Sequence, residues 1–371
     1  MKVFVIAGEA SGDRLGAALM EGLKSLRPDV TFDGVGGPLM QAQGMESLFA
    51  MDELSVMGLT EVLPQYLHLR RRMIQTADAV LNARPDVLIT IDSPDFCLRV
   101  AARVRRSARI RTVHYVAPSV WAWRPGRARK MAAHVDQVLA LLPFEPPYME
   151  AAGMRCDFVG HPVVSGPDAD ADLVAAFGDG PLLLALPGSR KSEVSRLMPV
   201  FGDALGRLKA HRPDLRIVLP AVPHVAGLIR DHLADWPETR VIDASDTALK
   251  RAAFAAADLS LAASGTVSLE LARARTPMVV AYDMSWLSWQ IMRRMALIDT
   301  VTLVNLVVGE KVVPEFLGPA CKGEAIADAL RTLMDDPTSQ ERALEQTMHA
   351  LGEGGDPPGL RAARAVLDGL G

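Results

Sequence analysis

An apolar run that halts on Pro-Gly and reopens as a charged helix limits the possible folds of this chain more than any other feature. It reads Leu182-Leu183-Leu184-Ala185-Leu186-Pro187-Gly188-Ser189-Arg190-Lys191-Ser192-Glu193-Val194. Unbroken apolar residues, with no alternation, fit a strand buried on both faces of a parallel sheet. Ser189 or Ser192 is placed to cap the helix that follows. The turn between strand and helix gathers unpaired N–H groups, the positive end of a helix dipole and the donor fork of Arg190, a set suited to phosphate oxygens. The same residues also describe an ordinary strand-to-helix turn with a surface arginine, so other segments decide between the two.

The pattern recurs in both halves. Lys2 to Ala7 reads as a buried strand leading into Gly8-Glu9-Ala10-Ser11-Gly12-Asp13-Arg14-Leu15-Gly16 and a helix through Lys24. The glycines stand at G-x-x-x-G-x-x-x-G rather than the dinucleotide fingerprint G-x-G-x-x-G, which disfavours an NAD site. Glu9 and Asp13 bring carboxylates to the mouth of the sheet; Asp13 suits a first-turn helix acid at least as well as a substrate contact. Val87 to Ile91 is a central-strand run, and Asp92 stands at its C-terminal end, where open α/β sheets bind ligands and a carboxylate can take a proton. Pro94 fixes the backbone beyond it, and Asp95 suits a cap or turn.

Several segments allow two readings. A helix from about Val62 carries Val62, Tyr66, Leu69 and Met73 as one stripe and runs into Arg70-Arg71-Arg72, a basic face for solvent or for an anionic membrane surface. Trp121 and Trp123 sit in a loop with Arg124, Arg127, Arg129 and Lys130, suited to stacking, phosphate clamping or interdomain packing. His161 beside Pro162 fits a structural role better than acid–base work. Asp168, Asp170 and Asp172 have metal-binding spacing but precede a strand, as a solvated linker does.

Beyond the opening stretch, strands and helices alternate as in a second parallel sheet. Asp258 to Ala262 is a strand ending in Ala263-Ser264-Gly265-Thr266. Ser264, Gly265 and Thr266 offer hydroxyls and N–H groups to a diphosphate at a helix start. Glu270, one helical turn past Thr266, can accept ribose hydroxyls; the bland alternative is a capping box. Met284 to Ile298 reads as a helix with Met284, Leu287, Ile291, Met295 and Ile298 on one stripe and Trp286, Trp289 and Arg293 on another, suited to a membrane interface or a domain contact. Asn305, inside an apolar run, needs a backbone or ligand partner.

The 371 residues suit two domains, each with a sizeable core. A net charge of −4 argues against a nucleic-acid partner. Cys97, Cys156 and Cys321 lack metal-ligand or disulfide spacing, which fits a reducing cytoplasm and no metal site. No apolar stretch reaches the length of a membrane span. The Pro/Gly/Asp-rich run from Ser165 to Asp172 marks the domain boundary, and residues 352–359 form a Gly-Pro-rich break in a helical tail.

Five ordered motifs, Ala7 to Asp13 (AGEASGD), Asp92 to Phe96 (DSPDF), Ser119 to Arg124 (SVWAWR), Leu186 to Arg190 (LPGSR) and Ala263 to Thr266 (ASGT), resemble the lipid-A-disaccharide synthase family of inverting glycosyltransferases over most of the chain. The resemblance implies an α/β fold of the GT-B type, two Rossmann-like parallel-sheet domains facing across a cleft. Residues 1–165 would form an acceptor and lipid-binding domain, 166–345 a UDP-sugar-binding domain, and 346–371 a C-terminal helix returning to the first. It implies UDP-2,3-diacylglucosamine as donor and 2,3-diacylglucosamine 1-phosphate as acceptor, no cofactor and no metal. The enzyme would sit peripherally on the cytoplasmic face of the inner membrane, with a homodimer among the assemblies to be tested. Asp92 would be the general base, with Glu9 beside it. Gly188, Ser189, Arg190, Ser264, Gly265, Thr266, Glu270 and Asn305 would hold the nucleotide sugar. A UDP-sugar epimerase, a transferase acting on a peptidoglycan precursor and a non-catalytic lipid-binding protein are the competing readings.

Overall fold

A computed structural model describes residues 1–54 and 59–370, with side chains of residues 59–65 outside the description. The chain divides into two compact units, Met1–Ser165 together with the stretch from Gly354, and Gly166–Glu353. The first runs β1 (Lys2–Ala7), α1 (Ala10–Leu26), β2 (Thr31–Val35), α2 (Pro38–Ala42), α3 (Leu59–Ala83), β3 (Val87–Ile91), α4 (Pro94–Ser107), β4 (Arg111–Tyr115), α5 (Gly126–Ala132), β5 (Gln137–Ala140), α6 (Pro146–Glu150) and β6 (Arg155–Phe158). The second runs α7 (Ala171–Ala175), β7 (Leu182–Leu186), α8 (Lys191–His211), β8 (Arg216–Ala221), α9 (Ala226–His232), β9 (Arg240–Asp243), α10 (Thr247–Ala256), β10 (Leu259–Ala263), α11 (Val267–Ala274), β11 (Met278–Tyr282), α12 (Trp286–Met295), α13 (Leu303–Val308), β12 (Glu315–Leu317), α14 (Gly323–Asp335) and α15 (Thr338–Ala350). The chain then returns to the first unit as α16 (Pro358–Asp368).

Each unit is built on a six-stranded sheet, ordered β2-β1-β3-β4-β5-β6 in the first and β12-β11-β10-β7-β8-β9 in the second. Neighbouring strands are parallel throughout. Helices cover both faces of the first sheet, and the strands divide their side chains between them. Val3, Val5, Ala7, Val87, Ile89 and Ile91 join a core with α1 and α16, while Phe4, Ile6 and Leu88 join another with α3 and α4. Two-sided burial is why these strands are unbroken apolar runs. In both sheets the strand order reverses direction, between β1 and β3 and between β7 and β10, and such switch points open a crevice beyond the strand ends.

Local chemistry sets the remaining boundaries. The helix expected over Met284 to Ile298 is confined to α12, because Ser285 caps it by accepting from the Ser288 N–H at 3.3 Å. Residues 346–371 are not one helix: α15 ends at Ala350 in the second unit, and α16 alone packs on α1. Gln137 Nε2 donates to the Ala365 carbonyl at 2.8 Å and Arg361 to the Phe158 carbonyl at 3.1 Å, tying α16 to β5 and β6. Of the stripe read on α3, Val62 lies outside the described side chains, and Tyr66 and Leu67 are exposed. Arg72 does not face solvent as the basic face required: it makes a two-pronged contact with Glu53 at 2.7 and 2.8 Å and lies over the Phe49 ring.

His114 on β4 is fully enclosed, with Thr90 Oγ1 2.8 Å from its Nδ1. Burial, aided by nearby His134, pushes its pKa down to about 4. Burial does the same to His161, which accepts from the Val163 N–H through Nδ1, a structural role. Unfolded histidine takes its proton near pH 6.5, so the native protein binds fewer protons between there and about pH 4. Stability is therefore lost as pH falls through that window, by roughly 3 kcal/mol for His114. Melting temperature measured from pH 7 to pH 4 should fall less steeply in a His114→Gln/His161→Gln protein than in the wild type; coincident slopes would refute the assignment.

Candidate active site

The switch point of the first sheet brings two carboxylates together. Ala7 and Ile91 are register partners on β1 and β3, so Glu9 and Asp92 leave neighbouring strands at the same edge. Glu9 lies within hydrogen-bonding reach of Asp92 and of the Ser11 side chain. Burial, then the charge and hydrogen bond of Asp92, raise its pKa above the ordinary carboxylate value.

The backbone of this corner is strained. Asp92 and Ser93 both take left-handed conformations, with φ of 50° and 41°, at a cost of order 1 kcal/mol each. The conformation is held by the Asp92 N–H, which donates to the Tyr115 carbonyl at 2.9 Å. It is also held by α4, whose Phe96 and Cys97 N–H groups donate to the Ser93 carbonyl. Gly8 makes room for it: a Cβ there would lie 2.5 Å from Ser93 Oγ. Asp95 lies exposed in the first turn of α4, whose N-cap is Ser93.

Asp13, by contrast, belongs to the framework. It is buried and accepts from the N–H groups of Gly37, Leu39 and Met40 at 2.9 to 3.0 Å, so it anchors the start of α2 instead of facing a substrate. Trp121 is likewise internal, edge-on to Phe144, with its indole N–H donating to buried Glu145 at 3.2 Å. Glu145 also accepts from the Leu141 and Leu142 N–H groups, and burial pushes its pKa up to about 7. Trp123 and Arg124 stack on each other in the adjoining turn.

The second sheet repeats the arrangement with different chemistry. Leu186 and Ala262 are register partners on β7 and β10, so the turns Gly188-Ser189-Arg190 and Ser264-Gly265-Thr266 emerge side by side, each before a helix N-terminus. Neither Ser189 nor Ser192 caps α8. The N-cap is Arg190, whose N–H donates to Glu193 at 3.3 Å while its guanidinium reaches Glu193 Oε1 at 2.8 Å. The Ser189 carbonyl lies 2.7 Å from His224 Nε2. Thr266 is the N-cap of α11 but makes no side-chain cap bond, leaving its exposed hydroxyl available, and Ser268 closes the turn on the Gly265 carbonyl. Glu270 pairs with Lys250 at 2.6 Å.

Two expectations change at the edges of this unit. Asn305 is buried, and its amide is engaged inside the fold: Nδ2 donates to Thr300 Oγ1 and the Val313 carbonyl, and Oδ1 accepts from the Val313 N–H. It braces the segment from Thr300 to Val313, which uses both N–H groups of its side-chain amide. Asp170 caps α7 through the N–H groups of Asp172 and Leu173, and Asp168 pairs with Arg273, so the D-x-D spacing reports a helix start. Glu193 is the residue that sequence reasoning passed over; its one signal was the i+3 spacing from Arg190.

Against known proteins, residues 3–355 match the family model described as lipid-A-disaccharide synthetase. The chain is 62% identical over 383 residues to the lipid-A-disaccharide synthase of Ruegeria pomeroyi, covering 100% of this chain and 96% of that protein. It is similar in structure to a putative UDP-N-acetylglucosamine 2-epimerase from Listeria monocytogenes, with a TM-score of 0.68 at 16% identity over 99% of this chain and 94% of that one. It is also similar to the UDP-GlcNAc 2-epimerase from Neisseria meningitidis bound to UDP-GlcNAc, with a TM-score of 0.66 at 13% identity over 100% of this chain and 99% of that one. At these identities the solved structures speak for the fold alone, a two-domain α/β fold of the GT-B type.

The close approach at Gly8 gives a direct test of the carboxylate corner. Gly8→Ala should destabilise the protein by about 1–3 kcal/mol in urea unfolding, through overpacking against Ser93. Gly126→Ala, where an added Cβ meets nothing within 4 Å, should stay within about 0.5 kcal/mol of wild type.

Proposed function

This chain belongs to the lipid-A-disaccharide synthetase family, a family of glycosyltransferases, and on that premise we propose the donor, the acceptor and the roles of the residues at both sheet edges. The donor is UDP-2,3-diacylglucosamine and the acceptor the 6-hydroxyl of 2,3-diacylglucosamine 1-phosphate. The products are the disaccharide 1-phosphate, formed with inversion, and UDP. The acceptor hydroxyl gives its proton to Asp92 as its oxygen bonds the donor's anomeric carbon, and the bond from that carbon to the diphosphate breaks with its electron pair leaving on UDP. Glu9, beside Asp92 at the same strand edge and with its pKa raised by burial and by the Asp92 charge, orients Asp92.

The diphosphate takes up charge as it leaves. Arg190, the N–H groups of the Gly188 to Arg190 turn and the Ser264 to Thr266 turn at the start of α11 are the groups available to stabilise it. Glu270, held through one oxygen by Lys250, has its other oxygen for the ribose hydroxyls. Asn305 contributes by bracing its loop. The observation that carries this reading is the division of labour between sheets: paired carboxylates at one switch point, paired N–H-rich turns at the other.

Both substrates carry acyl chains, and no described helix is long and apolar enough to cross a membrane. Docking is therefore assigned to surface elements on the cytoplasmic face of the inner membrane. On α12, Trp286 (73% exposed), Leu287 and Ile291 face outward beside Arg293 and Arg294, the composition of an interfacial helix.

The test of the reaction is UDP release from UDP-2,3-diacylglucosamine in detergent with chelator, with and without the acceptor. Release should depend on the acceptor, and Asp92→Asn should lower kcat by about 100-fold or more; near-normal turnover would remove the base assignment. In vesicle sedimentation, a Trp286→Ser/Leu287→Ser protein should bind less than wild type, and wild type should prefer anionic over neutral vesicles. Equal binding to both would count against an electrostatic contribution.

A further inference from the structure

We propose that Glu193 is the positioning residue of the phosphate turn: it holds one edge of the Arg190 guanidinium, and the backbone around it, so that the other edge and the turn's N–H groups meet a nucleoside diphosphate already ordered. The proposal rests on the assignment of Gly188 to Arg190 to the donor's diphosphate. Burial separates fixed from mobile partner. The Glu193 side chain is 11% exposed and that of Arg190 72%, so the carboxylate is built into the fold while the guanidinium stands in solvent.

Three hydrogen-bonding groups, two from Arg190 and one from β11, converge on this carboxylate. Arg190 Nη1 donates to Oε1 at 2.8 Å, the Arg190 N–H donates to Oε2 at 3.3 Å, and the Tyr282 hydroxyl at the end of β11 lies 3.5 Å from Oε1. Gly188 is moulded to it as well: its φ is +101°, and a Cβ there would lie 2.7 Å from Oε2. Helix capping accounts for the contact with the Arg190 N–H alone. It does not account for the guanidinium contact, which occupies one nitrogen of a planar fork and leaves the remaining donors facing outward.

Two effects on a diphosphate oppose each other. A carboxylate near the site repels an anion, whereas a guanidinium and loop fixed in advance reduce the ordering that binding requires. Because the carboxylate is paired with Arg190 on both the side chain and the main chain, its repulsion is largely neutralised and ordering dominates. Removing the charge should therefore weaken nucleotide binding.

The experiment measures donor KM, kcat and the inhibition constant of UDP for wild type, Glu193→Gln and Tyr282→Phe, with calorimetric UDP binding and a melting curve for each. For Glu193→Gln, donor KM and the UDP constants should rise together by about tenfold, while kcat changes by less than about threefold and acceptor KM holds. Tyr282→Phe, which deletes a single hydroxyl, should move the same constants less, and it keeps the test open should Glu193→Gln fold poorly. UDP constants that stay the same or tighten in these variants would overturn the role. A wild-type protein that binds no UDP would overturn instead the nucleotide assignment on which the role rests.

Discussion

A strand buried on both faces leaves its polar chemistry nowhere to go except beyond its ends, and this constraint arranges the whole molecule. From their first or second residue on, β1, β3, β7 and β10 are sealed between helices or neighbouring strands, so charged groups cannot sit along these buried stretches. Glu9, Asp92, Arg190 and Thr266 all fall within a few residues of a strand's C-terminal end. The reversal of strand order then selects which ends matter, because helices leave on opposite faces there and cannot fill the gap. Each unit thus has one edge where backbone donors and side chains converge, and the two edges differ in sign: acidic in the first, donor-rich in the second.

The acidic edge is held against its own preferences. Two carboxyl groups share a corner, two consecutive non-glycine residues take left-handed backbone conformations, and Gly8 sits where a side chain would collide. Strain of this kind persists only where surrounding structure over-determines it, and it concentrates at functional positions. Asp13 shows the contrast a few residues away. As buried as any acid among the described residues, it has three backbone N–H donors and an ordinary right-handed helix around it, and it works as a rivet between α1 and α2.

Much of this was legible in the chain because the signals are local. Unbroken apolar runs mark the central strands, and the polar residue after each run marks the edge, so Asp92 and Arg190 stand out before any contact is known. What escaped depends on partners far away in sequence. Asn305, in its apolar run, called for a backbone or a ligand partner, and its amide meets Val313 and Thr300 in a loop that spacing does not reveal. Arg72 looked like part of a basic face until Glu53 and Phe49 came beneath it. Trp121 seemed free to stack on a ligand, yet a buried glutamate more than twenty residues on claims its N–H. Ser189 and Ser192 fitted the cap rule, and a longer Arg–Glu pair displaced them.

The return of the chain as α16 has a consequence for how the protein is made. The first unit is discontinuous: its sheet comes from residues before Ser165, but Ala362, Ala363 and Val366 complete the core under α1. Residues 166–353 lie between the two pieces and form a unit with a sheet of their own. On the ribosome that inserted unit can close while the earlier-made sheet still shows Leu19, Leu23 and their neighbours on one bare face. The half synthesised first is therefore the half finished last, its apolar face open until α16 has been made.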